Sequence, residues 1–171
     1  MVVRRALRGP WVSAALVGLG LLAAPTSAQA LPPFTTAAKT SPASGGQAEL
    51  FGVAAGCHST YDRFVVRARF AKPGYDVRYV KQVVEDGSGD PVPLEGRRRI
   101  RVIVRDARAH TQGGTNLVPR TVTPRCSNLR QIKNAGDFEG VVTFGLGLRR
   151  RTGFRVFRLT NPTRIVIDVA H

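Results

Sequence analysis

Cys57 and His58 are neighbours, Asp62 follows four residues later, and Asp168 and His171 close the chain. A thiol beside an imidazole can act as a nucleophile with its base, provided a third group holds the base in register. The spacing argues against this. In a strand, His58 and Asp62 share a face but lie about 13 Å apart, and only a turn through Ser59-Thr60 would bring them together. His171 is the last residue, where chains fray, and a frayed imidazole is a poor base. The three histidines, His58, His110 and His171, have no metal-ligand spacing. Asp168 is expected in a structural ion pair, with a residue of a neighbouring strand or with Arg164. Asp62-Arg63 reads as local polar bonding at a strand entry. Asp86-Gly87-Ser88-Gly89-Asp90 places oxygens on alternate residues, as calcium loops do, but Pro91 stands where the loop glycine belongs and Arg97 where the closing glutamate does. Gly145-Leu146-Gly147 lies in a strand pattern and marks close packing, not a nucleotide loop. No catalytic residue, metal or cofactor is expected.

Arginine is what remains. Arg97, Arg98, Arg99 and Arg101 form one cluster, and Arg149, Arg150 and Arg151 a second in a turn between two strand patterns; Arg67 and Arg69 project from one face of a third. A planar guanidinium donates two parallel hydrogen bonds to phosphate or carboxylate, so these are the candidate anion- or glycan-binding residues. Tyr75, Tyr79, Phe154 and Phe157 could stack on sugar rings or fill a core, and the core suits the phenylalanines better.

The N-terminus decides where such chemistry would operate. Arg4, Arg5 and Arg8 precede an apolar run from Trp11 to Ala24, and Ala28-Gln29-Ala30 supplies the small residues of a cleavage site. This is the pattern of a secretory signal peptide over residues 1–30. The apolar run is short for a membrane span, which needs about twenty residues, and none is expected in the mature chain. With the leader's three basic residues gone, 23 basic residues face 11 acidic ones, a net charge of +12. Outside the cytoplasm that charge implies polyanions of the envelope. Nucleic acid, the default partner of a cytosolic protein this basic, is set aside by the export signal. Two cysteines in an exported chain predict one disulfide, Cys57–Cys126.

The elements that must position these residues are strands. "RFVVRARF" alternates Phe64, Val66, Ala68 and Phe70 against Arg63, Val65, Arg67 and Arg69. "RIRVIVRD" sets Ile100, Val102 and Val104 against Arg99, Arg101, Ile103 and Arg105, and "RIVIDVA" repeats the pattern near the end. "YDVRYVKQVV", "GVVTFGLGL" and "FRVFRLT" are further strands. "KPGY" and "EDGSGDPVP" are reversals. Residues 107–126 read as a long loop with room for a short edge strand. Residues 31–48, rich in Pro, Thr, Ser, Ala and Gly, read as a flexible linker ahead of a domain at 49–171. Short strands with frequent turns make an all-β sandwich or barrel.

"HSTYDRFVVRARF", "GYDVRYV", "GDFEGVVTFGLGL" and "FRVFRLTNPTRIVIDV", in this order, resemble the AMIN-like domain of secreted actinobacterial proteins. That group is similar to the AMIN domain found beside cell-wall amidases and outer-membrane secretins. The resemblance implies an all-β, two-sheet β-sandwich without catalytic activity, located in the envelope, with peptidoglycan as the ligand reported for AMIN domains. The expectation is a non-catalytic exported module that binds peptidoglycan or an associated anionic cell-wall polymer. The alternatives are a protein–protein adaptor in an envelope complex, and an envelope hydrolase, which would need a convergent acid/base or metal set.

Overall fold

The computed structural model describes residues 30–171, of which 31–171 form one unit. Apart from Ala30, the expected leader lies outside the described residues. Among the described residues no helix is long and apolar enough to cross a membrane.

Two sheets pack face to face. One has six strands in the order β1 (Lys39–Ser41), β4 (Gly74–Val80), β5 (Arg98–Arg105), β9 (Val141–Leu148), β8 (Leu129–Phe138), β7 (Thr121–Val122). The other has five, in the order β10 (Phe154–Leu159), β11 (Thr163–Ala170), β3 (Tyr61–Arg69), β2 (Ala48–Cys57), β6 (Ala107–Arg108). The β2–β6 pair is parallel and the other named pairs are antiparallel. The expected two-sheet β-sandwich is the fold.

The period of two builds its core. Phe64, Val66 and Ala68 of β3 meet Ile100, Val102 and Val104 of β5 and Phe144 and Leu146 of β9. Phe64 and Phe144 touch edge to face across the sheets, ring centroids 5.5 Å apart. Burying such side chains supplies the main stabilisation, about 1.5–3 kcal/mol for each large one. A smaller cluster, Val83, Val92, Leu94 and Ala135, lies outside it. It exists because the chain between β4 and β5 crosses the outer face of β9, where two glycines make room. A Cβ on Gly147 would stand 2.0 Å from the Glu95 carbonyl oxygen, and one on Gly145 2.8 Å from Leu94 Cδ1. The glycine pair thus marks close packing, as its strand setting suggested, against backbone at Gly147 and against side chains at Gly145.

Several expectations need correction. Residues 31–48 are not a free linker. Thr35 exchanges both backbone hydrogen bonds with Phe154, Lys39–Ser41 pair with Val77–Tyr75 of β4, and Ser44 exchanges both with Lys72. The segment straps the edges of both sheets, and Arg158 ties it down through Ser41 Oγ at 2.8 Å and the Pro42 carbonyl at 3.0 Å. The loop after β5 holds two short strands, β6 and β7. Phe70, expected to point inward, is 75% exposed, because β3 ends at Arg69 and Phe70 turns out at φ 73°. His171 does not fray: its Nε2 lies 3.1 Å from the His58 carbonyl oxygen and 3.5 Å from Asp62 Oδ1.

A basic end of the sandwich

β5 and β9 run antiparallel, with Arg98 opposite Leu148. The residues that enter β5 and those that leave β9 therefore meet at one end of the six-stranded sheet. These are the two arginine triplets. Gly96, at φ 102°, turns the chain so that the Arg97 N–H reaches the Leu148 carbonyl at 2.7 Å; this position is left-handed and sits against the Leu148 backbone, which only glycine tolerates. What the sequence presents as two separate patches is one surface.

Two clefts open there. The first, of about 470 Å³, is lined by Glu95, Arg97, Arg130, Arg149 and Arg150; the second, of about 420 Å³, by Tyr79, Lys81, Arg97, Arg98, Arg99 and Arg151. Arg97 lines both. Among the described residues, none of the six triplet arginines forms a salt bridge.

The turn that carries Arg149–Arg151 is fixed by a buried polar hub. Asp62, wholly buried, accepts the backbone N–H groups of Asn128 and Leu129 through Oδ2 at 2.6 and 2.8 Å. Asn128, also wholly buried, then accepts the N–H of Arg149 on its carbonyl at 2.8 Å and that of Arg150 on its side-chain oxygen at 2.9 Å. Its amide nitrogen donates to Thr152 Oγ1 and to the Ala170 carbonyl, both at 2.9 Å. The Tyr79 hydroxyl donates to the Thr152 carbonyl at 2.8 Å and accepts the Thr152 N–H at 3.1 Å. Arg151 stacks over the Tyr79 ring, 4.4 Å from its centroid. The Cys57–Cys126 disulfide closes the hub, tying the end of β2 to the chain just ahead of Asn128. Asp62 thus does long-range work, not the local bonding expected at a strand entry.

The remaining candidates lie elsewhere. Arg101 is half-buried within β5, opposite Arg78 and Gly145, and lines neither cleft. Arg67 and Arg69 sit on the five-stranded sheet, where Arg69 forks onto Glu49. Tyr75 lies under Arg158 at 4.9 Å and Phe157 under Arg63 at 5.6 Å, both rings already occupied, while Phe154 is core. Sequence reasoning missed Lys81, Arg130 and Glu95, single residues with no clustering, and Asn128, whose role depends wholly on tertiary contacts.

The residues first considered for chemistry have structural roles. Asp168 is fully buried and accepts Arg63 Nε and Nη2 at 2.6 and 2.9 Å and Arg155 Nε at 2.9 Å. Both partners are directly cross-strand, on β3 and β10; Arg164 is not one of them. Hydrogen bonding to Asp168 raises the pKa of Arg63 above its ordinary value. Among the described residues one cluster has metal-donor spacing, Cys57, Asp62 and Cys126, and its two sulfurs are joined to each other. His110 Nδ1 lies 2.5 Å from Asp137 Oδ2, which also accepts the Ala109 N–H at 2.9 Å, so this pair ties the chain just after β6 to β8.

The fold is an all-β sandwich with a disulfide-stapled, cationic end. Residues 48–171 match the AMIN-like domain, and the chain belongs to the AMIN-like domain family. The family is one of envelope-associated modules outside the cytoplasm, generally non-catalytic and concerned with binding or targeting. No curated protein and no solved structure matches the chain.

Proposed function

We propose that the protein is an exported, non-catalytic module that binds an anionic polymer of the cell envelope, either peptidoglycan or a polymer attached to it, through the basic end. One observation carries the reading: two arginine triplets some fifty residues apart in sequence line adjacent clefts that share Arg97. Guanidinium groups without a carboxylate partner repel one another, whereas a polyanion lying along both clefts would satisfy them. The hub under Arg149–Arg151 supports the reading, because a turn held by buried hydrogen bonds presents its side chains without a large ordering cost on binding.

The test is a pull-down with purified sacculi, with and without their anionic polymers. Replacing Arg97–Arg99 or Arg149–Arg151 by Gln should weaken binding, and wild-type binding should fall as salt shortens the Debye length from roughly 8 Å at physiological ionic strength. Both variants binding like wild type, with no salt effect, would refute the proposal.

A further inference from the structure

The opposite end of the sandwich carries a second feature, independent of the basic clefts. β3 ends at Arg69 and β4 begins at Gly74, opposite Arg105 at the far end of β5, so the β3–β4 turn lies away from the triplets. Two backbone irregularities place aromatic rings there. A bulge in β2 between Leu50 and Gly52 sets Phe51 outside the regular register, and a left-handed backbone turns Phe70 into solvent, 75% exposed. A bulky residue at φ 73° is strained, and an exposed ring gains nothing from burial. Both costs are met at one residue, and glycine would avoid them.

Between the rings lies Arg69, 5.8 Å from the Phe51 centroid and 5.0 Å from that of Phe70. Its Nε and Nη2 are taken by Glu49, which is only 5% exposed and also holds Arg108, and Nη1 has no protein partner among the described residues. Arg69 and Phe70 also line a shallow cleft of about 410 Å³, together with Ala71, Thr160, Asn161, Pro162 and Thr163. Asn161 is exposed, and Arg164 Nη2 donates to the neighbouring Thr160 carbonyl at 3.3 Å.

We propose that Phe70 and this cleft form a subsite for one uncharged pyranose ring of a glycan. A pyranose has a face of C–H groups and a rim of hydroxyls. Phe70 offers the first an apolar plane, and Asn161, Thr160, Thr163 and Arg69 Nη1 offer the second donors and acceptors. A few placed polar groups around an aromatic surface are what orient a small polar ligand. A bilayer does not fit: one ring circled by an amide, hydroxyls and a guanidinium has little apolar area to insert.

The experiment titrates a tetrasaccharide of β-1,4-linked N-acetylglucosamine into the exported protein, followed by backbone NMR. Shifts should centre on residues 69–71 and 160–163 and persist at high salt and in the Arg97–Arg99→Gln variant, which separates this site from the basic end. Phe70→Gly should weaken binding by about tenfold while the melting temperature holds or rises, since glycine suits that backbone. No shifts with wild type, undiminished binding by Phe70→Gly, or a fall in its melting temperature that accounts for the loss would each overturn the proposal. So would flotation with phosphatidylglycerol vesicles that depends on Phe70 in the absence of saccharide binding.

Discussion

On the outer face of the five-stranded sheet, each buried carboxylate sits between arginines of two neighbouring strands. Asp168 lies between Arg63 and Arg155, and Glu49 between Arg69 and Arg108. At the basic end seven arginines line two clefts without one such salt bridge among the described residues. The same side chain is mortar in one place and bait in the other. Arginine count does not distinguish them; a carboxylate at the facing register position does. Where register supplies one, the guanidinium belongs to the fold. Where strand ends supply none, it faces outward and is available to a ligand.

The sharpest way to break this contrast is Asp168→Ala. It leaves Arg63 and Arg155, with side chains only 25% and 13% exposed, facing each other without a counter-ion. Removing one partner of a buried pair costs about 3–5 kcal/mol, so urea unfolding should show a loss of that order. A loss below about 1 kcal/mol would mean that the face tolerates bare charge as the basic end does.

Replacing Cys57 and Cys126 together by Ser tests the other side. The disulfide spans 69 residues, and its loss should cost about 2–4 kcal/mol, in the chain-entropy view by freeing the unfolded chain. Because it closes the hub under Arg149–Arg151, sacculus binding should weaken even at temperatures where the variant remains folded. Binding at wild-type strength would separate the hub from the clefts.

Much of this was legible in the sequence, and the gaps have a common cause. The alternation in β3, β5 and β11 identified the core faces, because side-chain direction in a strand is a local property. Strand order is not local. Asp168 was recognisable as a structural acid, but its partners on β3 and β10 follow from which strands lie beside β11. The triplets were visible as two patches, and their union depends on the pairing of β5 with β9. β1 is three residues of Lys, Thr and Ser; nothing in it favours a strand, and its order comes from the edge of β4. Phe70 continued an alternation whose strand had already ended. Asn128 gave no signal, since its importance lies in three chain segments, at Asp62, Arg149–Thr152 and Ala170, that meet at its side chain and backbone.

Deleting residues 31–47 probes the strap. The deletion keeps the whole family match but removes the β1–β4 pairing and the reciprocal bonds at Thr35 and Ser44. At a net of about 1 kcal/mol or less for each hydrogen bond, less the ordering cost of the segment, the expected loss is about 2 kcal/mol. Unchanged stability would restore the reading of a linker.

A smaller effect should appear in acid. Glu49 is held below the usual carboxylate range, first by the hydrogen bond from Arg69, against the opposing cost of burial, and then by Arg108. The folded value lies below the unfolded one, so the stabilisation is complete above about pH 4.3 and is lost as pH falls through the folded value. Glu49→Gln should flatten that part of the stability–pH curve. An acid limb identical to wild type would show that the two arginines do not depend on the charge.

The smallest expected effect on stability is the most telling for the comparison. Replacing Arg97, Arg98 and Arg99 by Gln removes three charges, one more than the two guanidinium groups that Asp168→Ala leaves unpaired, yet the fold should register a change within about 0.5 kcal/mol. The three side chains hold no carboxylate, and Arg97 and Arg98 are exposed. The sign should be stabilising at low salt, because neighbouring like charges repel, and the gain should fade as salt screens them. The Arg149–Arg151 triplet differs in one respect: Arg151 rests on the Tyr79 ring, a contact that contributes roughly 0.5–1 kcal/mol at an exposed site. Its Gln variant should therefore lie slightly below the first in melting temperature, and Arg151→Gln alone should account for the difference. A loss of several kcal/mol in either triplet would mean that these arginines have partners in the fold after all, and that the basic end is built like the five-stranded face.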